Sequence, residues 1–186
     1  MHFVMRVKFF VTDRLVLRPW EESDAEDCFK YACDPRVGPD AGWAPHTSVE
    51  YSREIIKKNL SGPEDYAIVL KETGSAIGSI SLHLSTRFAR KGNEAELGFW
   101  LGVPYWGQGI AAEASRRLME HGFEDMHLER IWCGYYDGND KSRRVQEKLG
   151  FKYVKTVDDA PGVIVGDRKI EHVNVLERED WEKICH

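Results

Sequence analysis

Apolar and polar residues alternate from Leu15 to Arg18 ahead of Pro19, which predicts a short strand. Ser23 or Asp24 is placed to cap a helix running to about Cys33. Asp34-Pro35 ends it, because proline drives the preceding residue out of the helical region. The stretch from Arg36 to Thr47 holds Gly38, Pro39, Gly42 and Pro45 and reads as loop. Ser48, followed by Tyr51 and Ile55, opens a second helix ending near Leu60, before Gly62-Pro63. Tyr66 to Leu70 and Ala76 to Leu84 read as a hairpin around Glu72-Thr73-Gly74-Ser75, and Arg87 to Asn93 as a basic loop. Glu94 to Leu101 alternates strictly: Glu94, Glu96, Gly98 and Trp100 share one face, and Ala95, Leu97, Phe99 and Leu101 the other.

A glycine-rich turn follows, then a helix from about Gly109 to Phe123 whose Ile110, Ala114 and Leu118 form an apolar stripe for packing on a sheet. Arg130 to Tyr136 is the next strand. Asn139 or Asp140 caps a short helix to Leu149, and Gly150 stops it. Phe151 to Val157 and Lys169 to Leu176 are two more strands. The pattern predicts an α/β (α+β) fold, a mixed sheet with helices on both faces.

At 186 residues the chain is long enough for one domain with a substantial core, and it shows no repeat or linker. We take residues 1–186 as that single domain. Lys plus Arg is 26 and Asp plus Glu 31, so the net charge of −5 argues against a dedicated nucleic-acid binder. No apolar run approaches the roughly 20 residues of a membrane span. The apolar start, Met1 to Val11, is broken by Arg6 and Lys8 and lacks a small-residue cleavage site, against a signal peptide. Cys28, Cys33, Cys133 and Cys185 form no C-x-x-C pair, so neither a metal site nor a disulfide framework is expected, and a reducing cytoplasm is the default.

The candidate chemistry starts at Trp106-Gly107-Gln108-Gly109-Ile110-Ala111-Ala112, between a strand and a helix. A turn with little side chain lets backbone N–H groups converge on an anion, and the helix N-terminus adds free donors and a positive dipole end. A plain tight turn, with glycines needed for positive φ, is the simpler alternative. Gly107-x-Gly109-x-x-Ala112 also fits a dinucleotide fingerprint, with Asp137 after the next strand. Against that, Gly102 to Trp106 separates the strand from the turn, whereas the fingerprint glycine follows its strand directly.

Tyr105 to Ala114 resembles the acetyl-CoA loop of the GNAT N-acetyltransferases, whose general pattern is Q/R-x-x-G-x-G/A. Trp106, where Gln or Arg is more common, is similar to the branch typified by the ribosomal-protein acetyltransferases RimJ and RimL. Thr12 to Pro19 resembles that branch's opening strand, Trp43 to Ser48 its substrate-side loop, and Asn139 to Ser142, continuing to Lys148-Leu149-Gly150-Phe151, its last cofactor segment. The resemblance spans about residues 12 to 181. It implies a GNAT fold with a mixed, mostly antiparallel sheet of six to seven strands, and acetyl-CoA as cofactor. It also implies an amine acceptor (a protein N-terminus, a polyamine or a small-molecule amine), and a monomer or homodimer. The rivals are a CoA-binding module without catalysis and a nicotinamide-dependent oxidoreductase.

Acetyl transfer to an amine requires that amine to be neutral, so a base is useful. Glu96, on the strand that leads into the turn and with Gly98 leaving space beside it, is the candidate base. A solvated or salt-bridged carboxylate is the alternative, and Glu94 on the same face stands second, as a substrate contact. The resemblance implies that backbone groups of Leu101 and Val103 meet the pantetheine arm, and that Gly107, Gln108, Gly109, Ile110 and Ala111 hold the diphosphate. A backbone N–H of the same strand could stabilise the thioester oxygen. Ser142, on one stripe with Val145 and Leu149, could hydrogen-bond the leaving thiolate or merely local backbone. Many GNATs carry a tyrosine four residues before the helix-ending glycine; here that residue is Gln146, which shifts weight to Ser142. Asn139 is a cap or a pantetheine contact, and Lys141, Arg143 and Arg144 either solvated charges or contacts to the cofactor's 3′-phosphate. Trp43, in a loop, is a candidate substrate-pocket wall, Trp100 more plainly core, and Cys133 a buried small hydrophobe. His46 and His83 receive no role.

Overall fold

The computed structural model describes residues 8–161 and 168–185, so the apolar start up to Val7 lies outside the described residues. In chain order the strands are β1 (Phe10–Val11), β2 (Leu15–Arg18), β3 (Asp65–Leu70), β4 (Ala76–His83), β5 (Glu94–Leu101), β6 (Arg130–Tyr136), β7 (Lys152–Pro161) and β8 (Arg168–Glu177). The helices are α1 (Ala25–Ala32), α2 (Gly38–Ala41), α3 (Val49–Asn59), α4 (Ile110–Glu120), α5 (Asp140–Lys148) and α6 (Arg178–Cys185). One sheet runs in the order β1-β2-β3-β4-β5-β6-β8-β7, antiparallel throughout except for β5 beside β6.

The sheet has eight strands rather than six to seven, the addition being β1, a two-residue strand too short to carry a period. The expected loop from Arg36 to Thr47 contains α2, because Pro39 near its start needs no N–H partner and Gly42, at φ 89°, stops it at once. The final helix α6 is a further addition; its buried Trp181 stacks on Phe123 at 5.4 Å. The first helix begins through a 3-10 turn capped at Glu21, whose N–H donates to the Asp24 carboxylate at 2.9 Å. Ser48 does cap α3, its hydroxyl accepting from the Tyr51 N–H at 3.0 Å.

The apolar stripe of α4 packs as its spacing predicts: Ile110, Ala114 and Leu118 are buried with Ala95, Leu97 and Leu101 of β5 in the main core. On the opposite face Trp20, Cys28, Ile56 and Val69 form a second cluster under α1 and α3. Trp100 touches both. No helix among the described residues is long and apolar enough to cross a membrane, and no group of His, Cys, Asp and Glu there could hold a metal.

Candidate active site

The parallel strands β5 and β6 pair only at Glu94–Arg130, Ala95–Ile131 and Glu96–Trp132. Beyond Glu96 they part, while β5 stays paired to β4 as far as Leu101 and β6 to β8 as far as Tyr136. The facing edges therefore carry backbone groups with no ladder partner across the gap, which suits an amide-bearing ligand arm. A cleft of about 530 Å³ opens there, lined by both strands, the glycine turn and α5.

At the top of the gap, Gly107 and Gly109 take φ of 74° and 77°, conformations that glycine adopts without strain. Gly109 is the N-cap of α4, so the first N–H groups of that helix have no intrahelical partner and face the cleft through Ile110 and Ala111. Side chains fix the turn from outside. The Trp106 indole N–H donates to the Leu101 carbonyl at 2.9 Å, and the Gln108 amide to the Pro104 carbonyl at 2.7 Å. Arg14 donates to the Gln108 carbonyl at 3.0 Å and to Glu113 of α4 at 2.7 Å, placing a cation beside the turn.

Lower in the cleft, Glu96 projects from β5 just where the gap begins. Glu171 of β8 lies with it, ion-paired to Arg87. Burial raises the Glu171 pKa, and Glu96 adds to the rise against the opposing pull of Arg87. Gly134 lies beneath it, and a side chain there would start 2.4 Å from a Glu171 oxygen and push that carboxylate aside. Across the cleft stands Ser142. Its N–H is capped by the Asn139 side chain at 3.1 Å, and its Oγ accepts from Gln146 Nε2 at 3.1 Å. Gln146, fully buried, also donates to the Gly134 carbonyl at 3.1 Å and accepts from Asn174 at 2.8 Å. Cys133 borders the cleft, but burial first, then the charges of Glu96 and Glu171, push its thiol far up, so it is no thiolate nucleophile. On the outer rim Arg144 and Lys148, one helical turn apart, form no ion pair with the described residues, and Lys141 lies 4.4 Å over the Trp106 ring.

Residues 14–152 match the family model described as "Acetyltransferase (GNAT) domain". The chain belongs to the GNAT acetyltransferase family. It is 36% identical over 179 residues to the Bacillus subtilis protein named "Putative ribosomal N-acetyltransferase YdaF", covering 92% of this chain and 96% of that one. Among solved structures, a GNAT-family acetyltransferase from Bacillus anthracis superposes with a TM-score of 0.81 at 24% identity, over 92% of this chain and 99% of that one. The ribosomal-protein-S5-alanine acetyltransferase of Vibrio fischeri does so with a TM-score of 0.71 at 25% identity, over 94% and 98%. The likeness is to the RimJ/RimL type of GNAT acetyltransferase.

The cleft of this GNAT enzyme gathers Glu96, Leu101, Gly107, Gly109, Ile110, Ala111, Asn139 and Ser142. Val103 and Gln108 belong to the turn but do not line the cleft, and Leu101 offers a carbonyl already bonded to Trp106. Trp43 lines a second, adjoining cavity. Glu94 is placed differently from the expectation: it is 3% exposed, bonded to Arg130 at 3.3 Å and Trp132 at 3.4 Å, and lines neither cavity. Arg143 is also turned away, paired with Asp140 and Glu147. Glu171, Arg87, Tyr135, Tyr136 and Lys148 line the cleft without having been singled out. For Glu171 a signal existed, since strand alternation puts it on the face of Val173 and Val175, both buried.

Proposed function

We propose that this GNAT enzyme transfers the acetyl group of acetyl-CoA to a primary amine by direct attack in a ternary complex. The observation that carries the reading is the parting of β5 from β6 directly after Glu96, with the glycine turn at one end of the gap and Ser142 on its far wall. The residues present fit acetyl-CoA: free helix N–H groups and Arg14 suit a diphosphate, unpaired strand edges a pantetheine arm, and the unpaired cations Arg144 and Lys148 a 3′-phosphate. When bound, acetyl-CoA supplies the thioester carbonyl that the amine attacks and the sulfur that departs.

The chain's own groups do the rest. Gly107, Gly109, Ile110 and Ala111 hold the diphosphate through backbone N–H groups, and Gln108 braces the turn from behind. Leu101 and Asn139 flank the arm, and Val103 belongs to the turn that leads from it to the diphosphate. Glu96 takes the proton of the amine, directly or through one water. Ser142 gives a hydrogen bond to the departing sulfur, because Gln146 donates to its Oγ and leaves the hydroxyl hydrogen for another acceptor. A protein α-amino group, with a pKa near 7.7–8.0, is about one-tenth neutral at pH 7, so it asks less of Glu96 than a lysine-like amine. That point and the names of the ribosomal-type relatives favour a protein N-terminus as the acceptor.

The test pairs binding with turnover. Calorimetry should show acetyl-CoA binding and no NAD binding. Glu96→Gln should lower kcat/KM on the order of 10²-fold while leaving acetyl-CoA affinity within about twofold. Full activity in Glu96→Gln would remove the base, and preference for NAD would remove the cofactor.

A further inference from the structure

Resting on that reading, we infer that the acceptor carries its amine on an uncharged, largely apolar or aromatic body, and that the Ser81–His83 pair is its polar contact. A second cavity of about 310 Å³ lies between α3 and strands β4 and β5. It shares Ala41, Gly98, Phe99 and Trp100 with the cofactor cleft, so the two spaces adjoin along β5, beside Glu96.

The walls are rigid and aromatic. Trp43 meets Trp100 edge-on at 5.5 Å and His46 at 5.2 Å. It presses on Gly38 so closely that a Cβ there would lie 2.6 Å from the indole ring. His46 is itself buried, its Nδ1 2.7 Å from the Ser52 hydroxyl, and burial lowers its pKa, so it stands as a neutral support for Trp43. Ile55 and Tyr51 of α3 complete the apolar side.

The polar side is β4. Ser79 is occupied, accepting from Trp20 at 3.1 Å. Ser81 Oγ and His83 Nε2 lie 2.7 Å apart and face the cavity. Their cross-strand partners are Gly98 and Glu96 respectively, and the missing side chain of Gly98 leaves the pair accessible, its Cβ position being 3.3 Å from Ser81 Oγ. The pair therefore sits alongside the candidate base, about one residue's reach from where the amine must lie.

Among the described residues, no Asp, Glu, Lys or Arg lines this cavity. Asp65, opposite Ser81 on β3, approaches His83 Nδ1 at 3.9 Å but does not line the cavity, and its carboxylate accepts the Gly62 N–H at 2.9 Å. A polyamine or aminoglycoside brings further ammonium groups, and an ammonium removed from water without a carboxylate partner is strongly disfavoured. An arylalkylamine, or a peptide N-terminus whose first side chain is uncharged, brings no such cost and fills the aromatic walls.

The experiment measures CoA release at saturating acetyl-CoA with four acceptors: tyramine, a peptide starting with Ser or Ala, spermidine and kanamycin. At least one of the first two should exceed both polycations by about tenfold or more in kcat/KM, and which one does so separates a small amine from a protein N-terminus. Asn59→Asp, at the exposed rim of the cavity, should shift the ratio several-fold toward spermidine, because it supplies the absent carboxylate. Ser81→Ala should raise KM for the preferred acceptor with acetyl-CoA affinity unchanged. Preference for spermidine or kanamycin, an Asn59→Asp variant with an unmoved ratio, or acetyl-CoA binding without turnover of either uncharged acceptor would overturn the inference and leave the cofactor reading standing. Failure to bind acetyl-CoA would take down both.

Discussion

Gln146 occupies the position where many relatives of this fold carry a tyrosine, and it makes three hydrogen bonds there. Its Nε2 donates to Ser142 Oγ and to the Gly134 carbonyl, and its Oε1 accepts from Asn174. On the proposed mechanism Gln146 is a positioning residue, its bond to Oγ leaving the Ser142 hydroxyl hydrogen for the cleft. Ser142→Ala should lower kcat on the order of 10²-fold with little loss of stability. Gln146→Ala should lower kcat less but also cost about 1–3 kcal/mol in stability, because it strips buried partners. The double variant should turn over no more slowly than Ser142→Ala alone, since both act through one hydroxyl. Additive losses in kcat would mean that Gln146 acts independently. At this scale the sequence was readable where periodicity governs. Glu96 and Ser142 were legible from strand and helix spacing, and both line the cleft. Glu94 shares its face with Glu96 but sits where β5 still pairs with β6, among Arg130 and Trp132. Alternation gives the face of a side chain and not its depth along the sheet. His83 was opaque for a related reason: its value lies in being opposite Glu96, and register between strands is a tertiary fact.

The elements themselves follow local rules closely. Strand β5 runs over the residues that its alternation predicts, and Asn139 caps α5 while Gly150, at φ 89°, lies just past its end. What local rules miss are short elements and chain ends. Helix α2 has four residues, β1 has two, and α6 is held by tertiary contacts, Trp181 packing on Phe123 and Asp180 pairing with Lys152. Helix α5 makes its own prediction. Arg144 and Lys148 lie on its cleft side without an ion pair among the described residues, while Arg143 is engaged by Asp140 and Glu147, so the first two are open to an anion. Arg144→Ala combined with Lys148→Ala should weaken CoA binding by about tenfold, about 1.4 kcal/mol. Dephospho-CoA, which lacks the 3′-phosphate, should bind both proteins equally. Equal weakening for the two ligands would place these cations elsewhere on the cofactor.

At the level of the whole molecule, mixed topology and helices on both faces were legible from the order of elements, but the parting of β5 and β6 was not, because it depends on how two strands diverge. Stability at this scale is tied to a buried cluster far from the cleft. His121, 2% exposed in the π-helical turn that follows α4, bonds Glu64 at 3.1 Å through Nε2 and Asp125 at 2.7 Å through Nδ1. Glu64 also accepts from Lys8 at 2.9 Å and from Tyr66 at 2.8 Å, which joins α4 to β3 and the segment before β1. Burial opposes ionisation of Glu64, yet the bonds from His121, Lys8 and Tyr66 outweigh it and hold the carboxyl at about 2. Burial likewise lowers His121, but Glu64 and Asp125 outweigh it and the imidazole is raised above 6.5. The signs are opposite. The His121 contribution is complete below about pH 6.5 and is lost as pH rises through the native pKa, while the Glu64 contribution is present above about pH 4.5 and is lost as pH falls toward 2. Urea midpoints should therefore be highest between about pH 5 and 6.5 and decline toward pH 9, by about 1.4 kcal/mol for each unit by which His121 is raised. His121→Gln keeps a donor for Glu64 without a titrating charge, so it should be less stable at pH 6 and show a flattened decline above it. Parallel pH profiles for the two proteins would assign the alkaline limb to other groups.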